Sequence, residues 1–160
     1  MTTSLPSAAD RRRVPGTAAW LGGLGLIPFV TLSIACVTGL PQLPFDARFA
    51  LIAYGAVILS FLGGVHWGIA LSPDGIRLGA GRTDGARLLL GVLPSLIGWS
   101  ACLLQPAGGL LLLIAGFLLQ ALIDLRSSSR GALPAWYPRL RLPLTLVVVA
   151  SLGAAMVLQG

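Results

Sequence analysis

A chain of 160 residues in which 56% are hydrophobic and only 10% charged is too apolar for a soluble domain, whose surface brings charged residues to roughly 25%. Its mean hydropathy of +0.89 points to a small helical protein embedded in lipid. The net charge of +6 would suggest nucleic acid in a soluble protein, but all eleven basic residues are Arg set in the gaps between apolar runs, without interleaved aromatics, so nucleic acid is excluded as a partner.

Residues 1–16 are polar and include Arg11, Arg12 and Arg13; they read as a disordered basic tail. Residues 17–160 read as one transmembrane domain. Apolar runs predict helices over residues 17–39, 49–71, 88–104, 107–123 and 142–158. The first two exceed the roughly 20 residues that cross a bilayer, and the other three lie at the lower limit of about 17. Backbone groups cannot stay unpaired in hydrocarbon, so runs this apolar must be helical. The expected fold is therefore all-α, an integral membrane bundle of five transmembrane helices.

The linkers agree with these bounds. Leu40 to Arg48 holds two prolines, Ser72 to Arg87 opens with the turn sequence SPDG, and Gln105-Pro106 makes a short hairpin. Leu125 to Arg141 is the longest connection. Ten Arg residues fall in the tail and the second and fourth loops, against Arg48 alone in the first loop. The positive-inside rule then puts the N-terminus in the cytoplasm and the C-terminus on the far side, an alternation that needs an odd number of helices. Trp20, Trp67, Trp136 and Tyr137 fall near the cytoplasmic interface, where amphipathic rings anchor. A competing reading takes the first run as a signal peptide cleaved after Ser33-Ile34-Ala35, before Cys36. The first run is longer than such a segment needs.

GLIPF (Gly25 to Phe29), YGAVILSFLGGVHWG (Tyr54 to Gly68), LPSLIGW (Leu93 to Trp99) and LPAWYPRLRLPLT (Leu133 to Thr145) occur in this order. Together they resemble the transmembrane protein 69 family of bacterial and mitochondrial membrane proteins, whose function is uncharacterised. The resemblance implies a multi-pass inner-membrane protein, in the cell inner membrane or, in a eukaryote, the mitochondrial one. It brings no activity, ligand or catalytic residue with it.

Polar candidates are few. Ala56, Ser60, Gly64 and Gly68 recur every fourth residue and read as a small-residue stripe for helix packing. His66, the sole histidine, points away from that stripe about five residues from the cytoplasmic end of its helix. It reads either as a hydrogen-bonded neutral imidazole or as a proton or ligand contact. Asp124 ends the fourth run one turn after Gln120, on the same side of the membrane as His66. Two readings follow: a His66, Gln120 and Asp124 polar cluster, or pairing of Asp124 with Arg126, Arg130 or an Arg of LPAWYPRLR.

No Cys or His grouping has metal-ligand spacing, and a haem would need Met156 at the opposite face, so neither metal nor cofactor is expected. GAGRTDG (Gly79 to Gly85) lacks the Lys-Ser/Thr of a phosphate loop. Cys36 and Cys102 fall near the outer helix ends and read as buried thiols or a disulfide. Trp136, Tyr137, Arg139 and Arg141 read as an interfacial contact for anionic lipid headgroups or a partner. Pro28 and Pro94 interrupt two helices and each frees a carbonyl, as broken transporter helices do.

No catalytic constellation emerges, so an enzyme is not expected. The balance favours a structural or assembly-type factor that binds other inner-membrane proteins or lipids. The alternative is a small transporter or channel using the proline breaks and His66.

Overall fold

The computed structural model describes residues 13–39, 44–71 and 85–158. Most of the tail, the linker around residues 40–43 and the loop containing Arg77, Arg82 and most of GAGRTDG lie outside the described residues. Among the described residues there are five helices and no strand: α1 (Gly16–Thr38), α2 (Ala47–Leu71), α3 (Gly85–Leu103), α4 (Pro106–Ser129) and α5 (Tyr137–Val157). Of these, α1, α2, α4 and α5 are long and apolar enough to cross a membrane. The apolar part of α3, Leu88–Leu103, is shorter.

The helix ends depart from the sequence expectation where local chemistry overrides hydropathy. Helix α2 starts two residues early because Asp46 caps it, Oδ1 accepting from the backbone N–H of Arg48 at 2.8 Å and of Phe49 at 3.1 Å. Helix α4 begins at Pro106, where a missing N–H costs nothing. It runs six residues past Ile123 because a helix leaving an apolar layer needs no apolar side chains to continue. It stops where Gly131 turns left-handed, φ 77°. There Gly131 N–H reaches Ser128 O and Ala132 N–H reaches Ser127 O, both at 3.0 Å, a Schellman ending. Leu133 tucks in behind it and is buried. Helix α5 begins five residues earlier than hydropathy indicates, with Pro138 in its first turn.

Each helix packs on its neighbours in sequence and α5 returns to α1, closing a ring, with α2 touching α4 across the middle. Phe29, Leu59, Leu113, Phe117 and Leu152 fill the centre. Phe29 meets Tyr54 and Phe117 edge-on, at centroid separations of 5.0 and 5.8 Å. Large apolar side chains point outward on every helix, among them Leu21, Phe61, Leu89, Leu111 and Leu146. Apolar surface of this extent is a liability in water and the normal face of a protein in lipid.

The most extensive helix pair is α2 against α3. It closes on glycine: a Cβ at Gly63 would collide with the carbonyl oxygen of Gly91 and sit 3.1 Å from Pro94. This corrects the expected stripe. Ala56 is buried and Ser60 half-buried, but Gly64 and Gly68 face open space, where a methyl group on either would meet nothing within 4 Å. Four-residue steps advance 400° round the helix, so such a stripe drifts about 40° per step and leaves the contact face within two turns. The true seam alternates steps of four and three through Ile52, Ala56, Leu59, Gly63, His66 and Ala70, all buried. His66 therefore faces the packed interior and not the side opposite to it.

Candidate functional site

Four polar side chains from three helices meet inside this bundle. Asp124 of α4 stands at the centre and is 1% exposed. Its Oδ1 lies 3.0 Å from His66 Nε2 of α2 and accepts from Gln120 Nε2 at 3.0 Å. Its Oδ2 accepts from Arg141 Nε of α5 at 2.9 Å. His66, Gln120 and Arg141 are themselves buried, at 4%, 1% and 5% exposed. A carboxylate only accepts, so His66 Nε2 carries the hydrogen of its contact.

Local sequence sets each position. Gln120 and Asp124 are one helical turn apart and share a face. His66 follows Gly63 on the α2 seam, where the close approach to α3 draws that helix face inward. Arg141 sits four residues into α5, and one turn later Thr145 donates from Oγ1 to the Arg141 carbonyl at 2.9 Å. The cluster lies a little over one turn inside the ends of α2, α4 and α5 that face the α4–α5 loop.

Both readings of Asp124 therefore meet in one arrangement: the aspartate holds His66 and Gln120 and also an Arg of LPAWYPRLR. Arg141 does not lie at the surface as an interfacial lipid contact, because Asp124 draws it into the interior, and that expectation is corrected. Trp136 and Tyr137 are half-buried with rings 6.0 Å apart, and Arg139 is exposed. Thr145 is not among the polar candidates of the sequence; its spacing of four from Arg141, on one helix face, is the signal that points to it.

The remaining polar groups are dispersed. Tyr54 donates from its hydroxyl to the Gly25 carbonyl at 3.0 Å, one residue beyond the carbonyl that Pro28 releases. Ser33 donates to the Ser151 carbonyl at 2.7 Å, tying α1 to α5. Pro143, inside α5, is a third helix-interior proline beside Pro28 and Pro94. Cys36 and Cys102 are free thiols. Among the described residues, no three His, Cys, Asp or Glu side chains gather as a metal site requires. A shallow hollow of about 390 Å³ lies on α1, lined by Ala19, Trp20, Gly23, Leu24 and Ile27, away from the cluster.

Apolar helices with a polar knot shared among α2, α4 and α5 define a multi-pass membrane protein. Residues 14–157 match the family described as "Protein of unknown function (DUF3429)". This chain belongs to that family. It is also similar to transmembrane protein 69 of Xenopus tropicalis, with 36% identity over 146 residues, covering 89% of this chain and 54% of that protein. Transmembrane protein 69 of Mus musculus is 30% identical over 150 residues, 91% of this chain and 58% of its own. The chain thus spans a little over half the length of these curated relatives. No solved structure matches it.

Proposed function

We propose that this protein is a structural or assembly-type component of an inner membrane that associates with other membrane proteins, with its N-terminus on the cytoplasmic side. The observation that carries this reading is the outward face of α2, where Gly64 and Gly68 present bare backbone to the surroundings. Bare backbone lets a second helix approach closely, and in lipid such packing is the main source of helix association. The ionisable groups of the interior are meanwhile engaged with one another through Asp124. They act in this reading as a lock that keeps α2 in place. The excess of Arg in the tail and the second and fourth loops supports the orientation and a contribution from anionic lipid.

A photocrosslinking residue placed at position 64 or 68, in intact membranes, tests the reading by mass spectrometry of the adducts. A defined membrane protein recovered from these positions, and not from the outward Leu146, is the expected result. Lipid adducts alone at all three positions overturn it.

The transporter reading draws on the cluster itself, since ionisable side chains inside a membrane mark ion pathways more often than other positions do. It requires that His66→Ala and Asp124→Asn abolish function at unchanged protein level. An assembly role requires that any loss follow loss of the folded protein.

A further inference from the structure

We propose that Gln120 Oε1 and Arg141 Nη2 hold an internal water, making the cluster a hydrated site within the membrane. Both atoms are fully buried and find no hydrogen-bond partner among the described residues. They are orphaned for a geometric reason. The Nε–H and one Nη–H of a guanidinium point along the same edge, and that edge usually grips both oxygens of one carboxylate. Here Nε takes Oδ2 while Oδ1 already serves His66 and Gln120, which leaves Nη2 over. Gln120 spends its Nε2 donor on the same Oδ1, which leaves its carbonyl oxygen over.

The chemistry of the two atoms selects the ligand. Nη2 is a donor and needs an acceptor; Oε1 is an acceptor and needs a donor. An anion without a proton serves only Nη2, and a metal cation only Oε1. A species that accepts and donates at once fits both, and water is the smallest one. Buried waters occupy sites of this kind, bridging polar groups that the protein leaves unpaired. The water ties α4 to α5 a second time, beside the Asp124–Arg141 bond. It also gives the buried carboxylate network protons that exchange with solvent. The inference rests on the cluster alone and is independent of the assembly reading.

The test is nuclear Overhauser transfer from water to the side-chain N–H protons of Arg141 and Gln120. It is measured on the purified full-length protein in lipid nanodiscs, with the Arg141 signals assigned by their loss in Arg141→Lys. Long-lived water cross-peaks to both side chains are expected. They should persist in Thr145→Val and in Tyr137→Phe, which remove the hydroxyls that could relay such transfer, and vanish in Gln120→Leu. A direct Gln120–Arg141 contact without water cross-peaks overturns the proposal, as does loss of the cross-peaks in Thr145→Val or Tyr137→Phe. The wild-type spectrum decides the matter alone if Gln120→Leu fails to fold.

Discussion

Arg141 Nε donates to Asp124 Oδ2 at 2.9 Å, joining α5 to α4 across seventeen residues of chain with both side chains buried. The charges cancel locally, which is what lets two ionised groups sit together inside a span. Taking two charges out of water is costly, so the pair as a whole contributes little net stability, whereas each member alone is a liability. Asp124→Ala, which strands the guanidinium, is therefore expected to destabilise the bundle by about 3–5 kcal/mol. The double variant Asp124→Leu, Arg141→Met should recover most of that loss. Reversible unfolding by denaturing detergent in mixed micelles measures both, and strictly additive losses would sink the argument.

His66 makes a smaller contribution. It is one of two donors on Oδ1, and Gln120 remains when it is removed. His66→Ala is expected to lower stability by about 1.5–3 kcal/mol, the range for a hydrogen bond to a charged group. His66→Gln, which can still donate, should recover part of it. The same unfolding assay reads both variants, and a His66→Ala loss as large as that of Asp124→Ala contradicts the ranking.

The α2–α3 seam separates two neighbouring glycines. Gly63→Ala drives a methyl group into the Gly91 carbonyl, while Gly64→Ala places one in open space. Overpacking costs typically about 1–3 kcal/mol, and the Gly63 variant belongs at the upper end because the obstacle is backbone. Gly64→Ala should be neutral to stabilising, because alanine is the better helix former by about 1 kcal/mol. Unfolding midpoints of the two variants in parallel check the sign of each, and equal effects would mean that the seam lies elsewhere.

What the sequence disclosed and what it hid have separate physical causes. Hydropathy identifies the helices because the lipid penalty on unpaired backbone acts on every residue of a run. It misplaces the ends of α4 and α5 because a Schellman turn at Gly131 and a proline-compatible first turn at Pro138 set those ends locally. The grouping of His66, Gln120 and Asp124 is open to inference from topology, since α2 and α4 finish on one side. The inward turn of Arg141 is not, because a flexible side chain near a span's end has both a headgroup and a buried carboxylate within reach. Helical phase is the least legible. Gly63 and Gly64 look equivalent in a pattern of small residues, and only the position of α3 tells them apart.

The two thiols offer a check on the ring order. Cys36 lies on α1 and Cys102 on α3, helices that are not neighbours in the ring, and both are free. Labelling with a maleimide after denaturation, without reductant, is expected to modify two thiols per chain. No modification would mean a disulfide, and with it a closer approach of α1 to α3 than this packing allows.

Helix α1 is the element most open to displacement, since it buries only Phe29, Ser33 and Ala35. Two polar contacts attach it: the Ser33 hydroxyl on the Ser151 carbonyl of α5, at 2.7 Å and buried, and the Tyr54 hydroxyl of α2 on its Gly25 carbonyl, at 3.0 Å. Hydrogen bonds between membrane helices average about 0.6 kcal/mol and reach about 1.7 kcal/mol. Ser33→Ala should therefore cost a modest amount within that range overall. Its effect on the docking of α1 alone should be larger in proportion, because so little else holds that helix. A distance probe between a label on exposed Leu21 and one on exposed Leu146 separates the two effects. The expected outcome is a broadened distribution in Ser33→Ala with the remaining helices unchanged. A distribution identical to wild type would show that Phe29, wedged against Tyr54 and Phe117, and the Tyr54–Gly25 bond are sufficient to hold α1 in the ring.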